Sequence, residues 1–254
     1  MDLLIENGTV ITVDGERRVF APGTVAVRGP RIVAVGETSR LQGLDAARRI
    51  DASGMLVLPG FIDAHHHTVQ YFAKGIGDDI PQHISMHERI FPYETQLKPE
   101  DAHLSALCIF AEMIRHGTTC FCDPGGYHME EVGRAMEETG MRGILSRCAR
   151  DIQDPAHPLS EGLMASTRDT LRESEEFVLS WNGRAEGRIR AWFSIRSSAN
   201  STDTLCRDLK TLADAHGVGL HSHAQGHPMT EAGVRDLFGV ETLERYRRLG
   251  LFGP

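Results

Sequence analysis

From Met55 to its end, the chain alternates two kinds of segment, and this alternation limits the folds that it can adopt. Short apolar runs rich in β-branched residues are each followed by a longer helical run. This alternation is typical of βα units, whose strands lie parallel in one sheet or barrel. Five strands are predicted, at residues 57–64, 118–123, 143–150, 189–195 and 218–223. Five helices are predicted, at residues 99–116, 130–139, 161–180, 202–216 and 231–249. We therefore predict an α/β fold built on a parallel sheet or barrel.

The first 56 residues have a different pattern. Three runs in this part are rich in β-branched residues and are separated by turns that contain Gly, Asp or Pro. They are residues 3–13, 24–27 and 32–35. Such runs predict short strands. The sequence therefore divides into a small β segment over residues 1–56 and a βα domain over residues 57–254.

Composition argues against several classes of protein. The chain has 35 acidic and 27 basic residues, whereas a general nucleic-acid binder needs a positive field to neutralise phosphates. No apolar run approaches the roughly 20 residues that a membrane span needs. Acidic residues stand at the N-terminus, where a signal peptide would have basic ones. The five cysteines lie mostly in apolar runs, which favours a reduced, cytoplasmic setting over a disulfide framework.

The strongest chemical signal is the run Pro-Gly-Phe-Ile-Asp-Ala-His-His-His at residues 59–67, which ends a predicted strand. Side chains alternate along a strand, so His65 and His67 point the same way and His66 points to the opposite side. Two neighbouring imidazoles at the carboxyl end of a strand can bind one metal ion, and barrel enzymes keep their chemistry at that end. The alternative is a surface histidine run without a ligand.

A second histidine pair ends the fifth predicted strand, in the run Leu-His-Ser-His-Ala-Gln-Gly-His at residues 220–227. A single pair would be ordinary. Packing does not readily explain two pairs at equivalent ends of two parallel strands. For His221, a hydrogen-bonded core histidine is an equally good interpretation.

These segments resemble the amidohydrolase superfamily, in particular the branch of the S-adenosylhomocysteine, cytosine and guanine deaminases and the atrazine-type triazine hydrolases. The resemblance covers essentially the whole chain. It is carried by the N-terminal strands, by residues 58–67, 74–79, 90–92 and 111–120, and by the fifth-strand histidines. It implies a (β/α)8 TIM barrel of the metal-dependent hydrolase type, with a β-sandwich built from both chain ends.

The resemblance also implies a function. The expected activity is hydrolysis of non-peptide carbon–nitrogen bonds, by deamination or a related displacement such as dechlorination, on a small nitrogen heterocycle. One divalent metal ion would be held by His65, His67 and His223, with zinc the first choice and iron the alternative. Binuclear members of the superfamily bridge two metals with a modified lysine, and here Arg196 stands at that place, so a single metal is predicted. The zinc deaminases with a Pro-Cys-x-x-Cys motif are excluded, because the chain has no such motif.

One departure from the family affects catalysis. A glutamate that transfers protons usually lies three residues after the fifth-strand ligand, and Gly226 occupies this position. Glycine cannot transfer a proton. The candidates to replace it are His227, Gln225 and Glu231, and spacing does not choose among them.

Four further residues are candidates for substrate binding. Arg147, Arg150 and Arg196 lie near the ends of the third and fourth strands and could bind an anionic or carbonyl group. Surface or salt-bridged arginines are an equally good interpretation. His128 follows the second strand and could line the pocket, although a loop histidine is more often solvated.

The length of the chain predicts an incomplete barrel. A full barrel takes about 250 residues, or roughly 30 per βα unit, so residues 57–254 hold about six units, and five are counted. The resemblance places a histidine after strand six and an aspartate after strand eight, and neither has a position here. We therefore expect an N-terminal portion with an open sheet edge, poorly soluble or homo-oligomeric and inactive by itself on amino-heterocycles. The alternative to an enzymatic function is that the chain is a truncated or non-catalytic amidohydrolase-like fragment without a complete active site.

Overall fold

The computed structural model describes residues 1–153 and 165–253. The chain forms two compact units, Met1–Phe61 and Ile62–Pro254. Pro254, the last residue of the predicted βα domain, lies outside the described residues, as do the first four residues of the helix predicted at 161–180.

The first unit is built on a five-stranded sheet in the order β3-β2-β1-β4, with β5 also paired to β1. Its strands are β1 (Leu3–Ile11), β2 (Val19–Arg28), β3 (Arg31–Glu37), β4 (Arg48–Asp51) and β5 (Leu56–Val57). β1 and β3 are antiparallel to β2, whereas β4 and β5 run parallel to β1. A 3-10 turn, Thr38–Arg40, follows β3. Leu4 of β1 and Ala26 of β2 pair with each other, and both are fully buried.

The second unit contains five strands in chain order along one sheet, β10-β9-β8-β7-β6. They are β6 (Phe61–Asp63), β7 (Thr118–Cys122), β8 (Arg142–Ser146), β9 (Ile189–Ile195) and β10 (Leu220–Ser222). The pairs from β7 to β10 are parallel. The predicted α/β fold with about five βα units of a barrel is thereby confirmed.

Helices connect these strands and cover the sheet. They are α1 (Gln82–Ile84), α2 (Phe91–Gln96), α3 (Pro99–Arg115), α4 (Met129–Thr139), α5 (Thr167–Trp181), α6 (Arg184–Gly187), α7 (Asp203–His216), α8 (Pro228–Phe238) and α9 (Thr242–Arg248). A 3-10 helix, Thr68–Ala73, and a π-helical turn, Ser85–Ile90, lie in the connection after β6. Sequence chemistry sets several helix ends: the Thr202 hydroxyl caps α7 by accepting the Leu205 N–H, and Gly217 ends the helix at a φ of 62°. None of the helices in the described ranges is long and apolar enough to cross a membrane.

Two predicted elements are divided in the structure. The strand predicted at 57–64 is interrupted at Leu58-Pro59-Gly60, so that Leu56–Val57 joins the N-terminal sheet and Phe61–Asp63 begins the parallel sheet. The proline accounts for this, since it cannot donate a ladder hydrogen bond. The helix predicted at 231–249 begins earlier, at Pro228, and is broken after Phe238 by Gly239, which has a φ of 73°.

Candidate metal centre

Three histidines converge at the carboxyl edge of the parallel sheet. His65 and His67 follow β6, and His223 follows β10. A ligand nitrogen from each of the three lies within 4.8 Å of the others. His66 is turned away from them, because its Nδ1 lies 3.2 Å from a carboxylate oxygen of Asp63. The structure therefore brings together the three predicted metal ligands and leaves the middle histidine of the run outside.

The backbone after His67 is fixed by a buried carboxylate at the end of the next strand. Asp123 follows β7, and its two oxygens accept the N–H groups of Thr68 and Gly125, each at 2.8 Å. Burial raises the pKa of Asp123. These hydrogen bonds hold the segment that positions His67 against the neighbouring strand.

The local electrostatics keep the three imidazoles uncharged. Burial, followed by the positive charge of Arg196, lowers the pKa of His65 and His67 from the usual histidine value, and lowers the pKa of His223 to about 3. Only a neutral imidazole has a lone pair for a metal ion. At neutral pH, all three side chains are therefore in the form that binds metal.

His221 stands behind the cluster and contacts one of its members. Its Nε2 lies 3.2 Å from Nδ1 of His65, and its Nδ1 lies 3.1 Å from the Cys122 sulfur. A hydrogen bond to Nδ1 of His65 leaves Nε2 of that ring as the nitrogen available for a metal. Partners of this kind commonly fix the orientation of a metal-binding histidine.

Arg196 follows β9 and reaches the same nitrogens. Its Nη1 lies 3.0 Å from Nε2 of His67 and 3.2 Å from Nε2 of His223, and its Nη2 lies 3.5 Å from a carboxylate oxygen of Glu94. One lone pair cannot serve an N–H donor and a metal ion at once. The guanidinium and a metal ion would therefore use these two nitrogens alternately.

The donor set fits a divalent transition metal. Catalytic zinc sites commonly have three protein ligands and keep a further position open for water or substrate, and imidazole suits zinc as well as iron. Nδ1 of His223 is buried and has no hydrogen-bond partner within the described part of the chain. His65, His67 and His223 together could hold one such ion.

The cluster faces a cavity of about 340 Å³. Arg150 and Arg196, two of the predicted substrate-binding residues, line it together with Gln225, Gly226 and His227. Nδ1 of His227 accepts the Met229 N–H at the start of α8.

Three predicted site residues lie elsewhere. Glu231 is buried, and its carboxylate accepts the N–H and hydroxyl of Thr242. Arg147 pairs with Glu173, and Nε2 of His128 lies 2.9 Å from the carbonyl oxygen of Leu97. Arg147 and His128 line a second cavity of about 250 Å³, which shares Arg150 with the first.

Sequence reasoning missed two polar residues beside the cluster. Gln70 lines the cavity, and its amide donates to Oε1 of Glu94 at 2.6 Å. Glu94 is 1 % exposed and faces Arg196. Glu94 could have been noticed in the sequence, because it is the one acid in the run Phe91-Pro92-Tyr93-Glu94. An acid in such an apolar run is expected to be buried with a partner, since buried carboxylates are rare without one.

The lowered histidine pKa values predict acid sensitivity of the metal-free chain. Unfolded histidine takes up a proton near pH 6.5, whereas in the folded chain burial lowers the pKa of His221 to about 4 and of His223 to about 3. Between about pH 6.5 and these lower values, the unfolded state therefore binds more protons than the folded state. The free energy of unfolding is unaffected by these histidines above about pH 6.5 and decreases as the pH falls below it. Calorimetry in chelator should show a melting temperature that drops from about pH 7 to about pH 4, and a smaller drop for His223→Gln. Identical curves would contradict this assignment.

Comparison with known proteins identifies the family of this chain. The sequence model of the amidohydrolase family matches residues 56–254. A 5-methylthioadenosine/S-adenosylhomocysteine deaminase from Pelotomaculum thermopropionicum is 34 % identical over 223 residues, which cover 87 % of this chain and 49 % of that protein.

Solved structures of relatives have the same fold over most of this chain. A zinc-bound adenosine deaminase from Xanthomonas campestris superposes with a TM-score of 0.86 at 25 % identity, over 98 % of this chain and 55 % of that one. An atrazine chlorohydrolase from Arthrobacter aurescens, complexed with zinc, has a TM-score of 0.84 at 21 % identity, over 98 % of this chain and 58 % of that one. The chain thus spans about half the length of the relatives that it matches.

Proposed function

The chain belongs to the amidohydrolase family, and from this premise we propose that it acts as a mononuclear metal-dependent hydrolase on a small nitrogen heterocycle. The reaction is the displacement of an amino group, or of a related leaving group, from an electron-poor ring carbon by water. The observation that carries the proposal is the convergence of His65, His67 and His223 on a cavity of about 340 Å³.

We propose zinc as the metal, since zinc is bound in the adenosine deaminase and the atrazine chlorohydrolase that this chain resembles. A bound divalent ion would supply water activated near neutral pH and would polarise the substrate through an oxygen or ring nitrogen. The chain supplies the ligand nitrogens in neutral form, and His221 holds the ring of His65 by its hydrogen bond.

Two arginines orient the substrate in this proposal. The guanidinium groups of Arg150 and Arg196 line the cavity on the side of β8 and β9. A guanidinium donates two parallel hydrogen bonds to a carboxylate, or a single bond to a carbonyl oxygen, and the paired bonds fix the plane of the substituent as well as its distance. Arg147 and His128 are proposed to contact substrate only where it extends into the second cavity.

Proton transfer falls to His227 in this proposal. Gly226 carries no titratable group, and the Glu231 carboxylate is engaged by Thr242. Nδ1 of His227 accepts a backbone N–H, so the neutral ring carries its proton on Nε2. To take a proton from the attacking water and pass it to a leaving amine, which is the task of the family glutamate, the ring would exchange its Met229 contact for a proton on Nδ1, so that Nε2 is free to accept the proton and then to donate it.

The non-catalytic alternative is favoured by one observation, the glycine at position 226. A metal-binding chain without a proton carrier would bind heterocycles but would not convert them to product.

A cytoplasmic location agrees with the five unpaired thiols of the chain, and a homo-oligomer agrees with exposed apolar side chains such as Leu104 and Leu179. Both are further proposals, and size-exclusion chromatography tests the second.

An ammonia-release assay tests the proposed activity. The number of βα units predicts low activity of this chain by itself, but any release of ammonia from adenosine, guanine or cytosine should be faster with zinc-loaded than with chelator-treated protein, and His223→Ala should match the chelator-treated rate. Tight zinc binding with no release from any of the three would favour the non-catalytic alternative. Release that is unaffected by the chelator would contradict metal dependence.

A further inference from the structure

Three side chains form a row that leads from the end of β7 to the metal centre. The Cys122 sulfur lies 3.1 Å from Nδ1 of His221, and Nε2 of His221 lies 3.2 Å from Nδ1 of His65. Both ring nitrogens of His221 therefore have a side-chain neighbour at hydrogen-bond distance. Cys122 is 8 % exposed and His221 is half-buried, so water does not readily replace the contact at the sulfur.

The proton positions in this row decide which nitrogen of His65 can bind a metal ion. A neutral imidazole has one N–H group and one nitrogen lone pair. Nδ1 of His65 faces His221, so Nε2 is the nitrogen left for the metal, and the ring proton then lies on Nδ1. That N–H donates to Nε2 of His221, whose own proton consequently lies on Nδ1. The Nδ1–H of His221 in turn donates to the Cys122 sulfur, which ends the row.

The opposite direction of hydrogen bonding uses the same atoms at the same distances. In that case the Cys122 S–H donates to Nδ1 of His221, and the Nε2–H of His221 donates to Nδ1 of His65. The ring proton of His65 then lies on Nε2, where it blocks the lone pair that a metal ion needs. A metal ion at Nε2 therefore requires the direction in which Cys122 accepts.

Resting on the proposed metal-dependent function, we infer that Cys122 is a positioning residue for the metal centre. Its sulfur accepts the Nδ1–H of His221 and so favours the form of His65 that binds metal through Nε2. Without this acceptor, the N–H of His221 has no partner, and an unpaired polar group facing the protein interior is costly. The proton of His221 then moves to Nε2, which reverses the hydrogen bond to His65. Partners of a metal-binding histidine commonly change metal affinity by roughly 10- to 100-fold.

Cys122 acts through His221 and is not itself a ligand in this inference. The three ligand histidines form a group whose nitrogens lie within 4.8 Å of one another, and no cysteine in the described part of the chain belongs to it. Burial, followed by the negative charge of Asp123, raises the pKa of Cys122 to about 12. The sulfur is therefore a neutral thiol near neutral pH, whereas metal ions bind the thiolate form of cysteine.

The zinc affinities of three variants test the inference. We expect the dissociation constant for zinc, measured by competition with a fluorescent chelator, to increase roughly 10- to 100-fold in Cys122→Ala. Cys122→Ser supplies a hydroxyl that can accept the same N–H, so its affinity should lie close to that of the wild type. Cys120→Ala is the matched control, because Cys120 lies on the same strand and the contact with His221 comes from Cys122. Wild-type affinity in Cys122→Ala, or an equal loss in Cys122→Ala and Cys122→Ser, would overturn the inference.

The proton positions provide a readout that a role in packing alone would not change. Long-range proton–nitrogen NMR distinguishes a protonated from an unprotonated ring nitrogen, and the His221 signals are assigned by their absence in His221→Gln. We expect the His221 proton on Nδ1 in the zinc-loaded wild type and on Nε2 in metal-free Cys122→Ala. A proton on Nε2 of His221 in the zinc-loaded wild type would contradict the inference, whatever the affinities.

Folding of each variant is checked by circular dichroism. If Cys122→Ala does not fold, Cys122→Val replaces it, since valine is close to cysteine in volume but neither donates nor accepts a hydrogen bond. If neither folds, the proton position in the zinc-loaded wild type decides by itself. A wild type that binds no zinc overturns the proposed hydrolase function and the inference with it. A wild type that binds zinc only as tightly as Cys122→Ala contradicts the role of Cys122 alone.

Discussion

Replacing His65 and His67 together by alanine is expected to reduce bound zinc from about one equivalent per chain to none. The two side chains supply two of the three nitrogens that lie within 4.8 Å of one another, and a lone histidine does not retain a metal ion through purification. Because metal binding is coupled to folding, the melting temperature of the double variant should also stop responding to added zinc. Elemental analysis after gel filtration measures the first effect and calorimetry the second.

His66→Ala is the matched control for this experiment. His66 belongs to the same run, but its Nδ1 faces Asp63 rather than the cluster. The control should therefore keep its full zinc content. Stoichiometric zinc in the double variant, or loss of zinc in the control alone, would show that the metal is held elsewhere.

Gly226→Glu is expected to raise any ammonia-releasing activity by about 10²- to 10⁴-fold, the usual contribution of a positioned general acid–base group. Residue 226 lines the cavity, and a Cβ added there meets no atom within 4 Å, so a longer side chain can be accommodated. The effect should appear in kcat, because the carboxylate transfers protons and is not expected to tighten substrate binding. Steady-state kinetics of both proteins with saturating zinc measure it.

The control for this substitution is Gly226→Gln, which has the same shape but cannot exchange a proton. Its activity should stay at the wild-type level. An equal rise in both variants would point to an effect of packing. No rise in Gly226→Glu would mean that His227 already performs the proton transfer, and His227→Ala should then reduce activity.

Periodicity predicted most of the barrel portion correctly, because each strand and helix buries one apolar face. The ends of β9 agree with the prediction, those of β7, β8 and β10 differ from it by at most four residues, and the order of the strands in the sheet follows the chain. The division of the strand at 57–64 was not predicted. Apolar residues continue through Leu58-Pro59-Gly60, so hydrophobicity alone does not show that Leu56–Val57 pairs with β1.

The convergence of the three histidines could be predicted because it follows from local rules. Alternation along a strand separates His66 from His65 and His67, and parallel strands bring their carboxyl ends to one edge. The roles of the charged residues do not follow from such rules. Glu231 meets Thr242 across the turn between α8 and α9, and Arg196 meets Glu94 from a distant segment; neither contact follows from spacing in the sequence.

X-ray absorption at the zinc edge of the purified, zinc-loaded chain tests the central claim most directly. The predicted spectrum shows three imidazole nitrogens at about 2.0–2.1 Å together with oxygen, without sulfur at the longer distance of about 2.3 Å. His223→Ala should lose one of these nitrogens, and His221→Ala should keep all three. A sulfur ligand in the wild type, fewer than three imidazoles, or a spectrum unchanged by His223→Ala would contradict the assignment of His65, His67 and His223 as the metal centre.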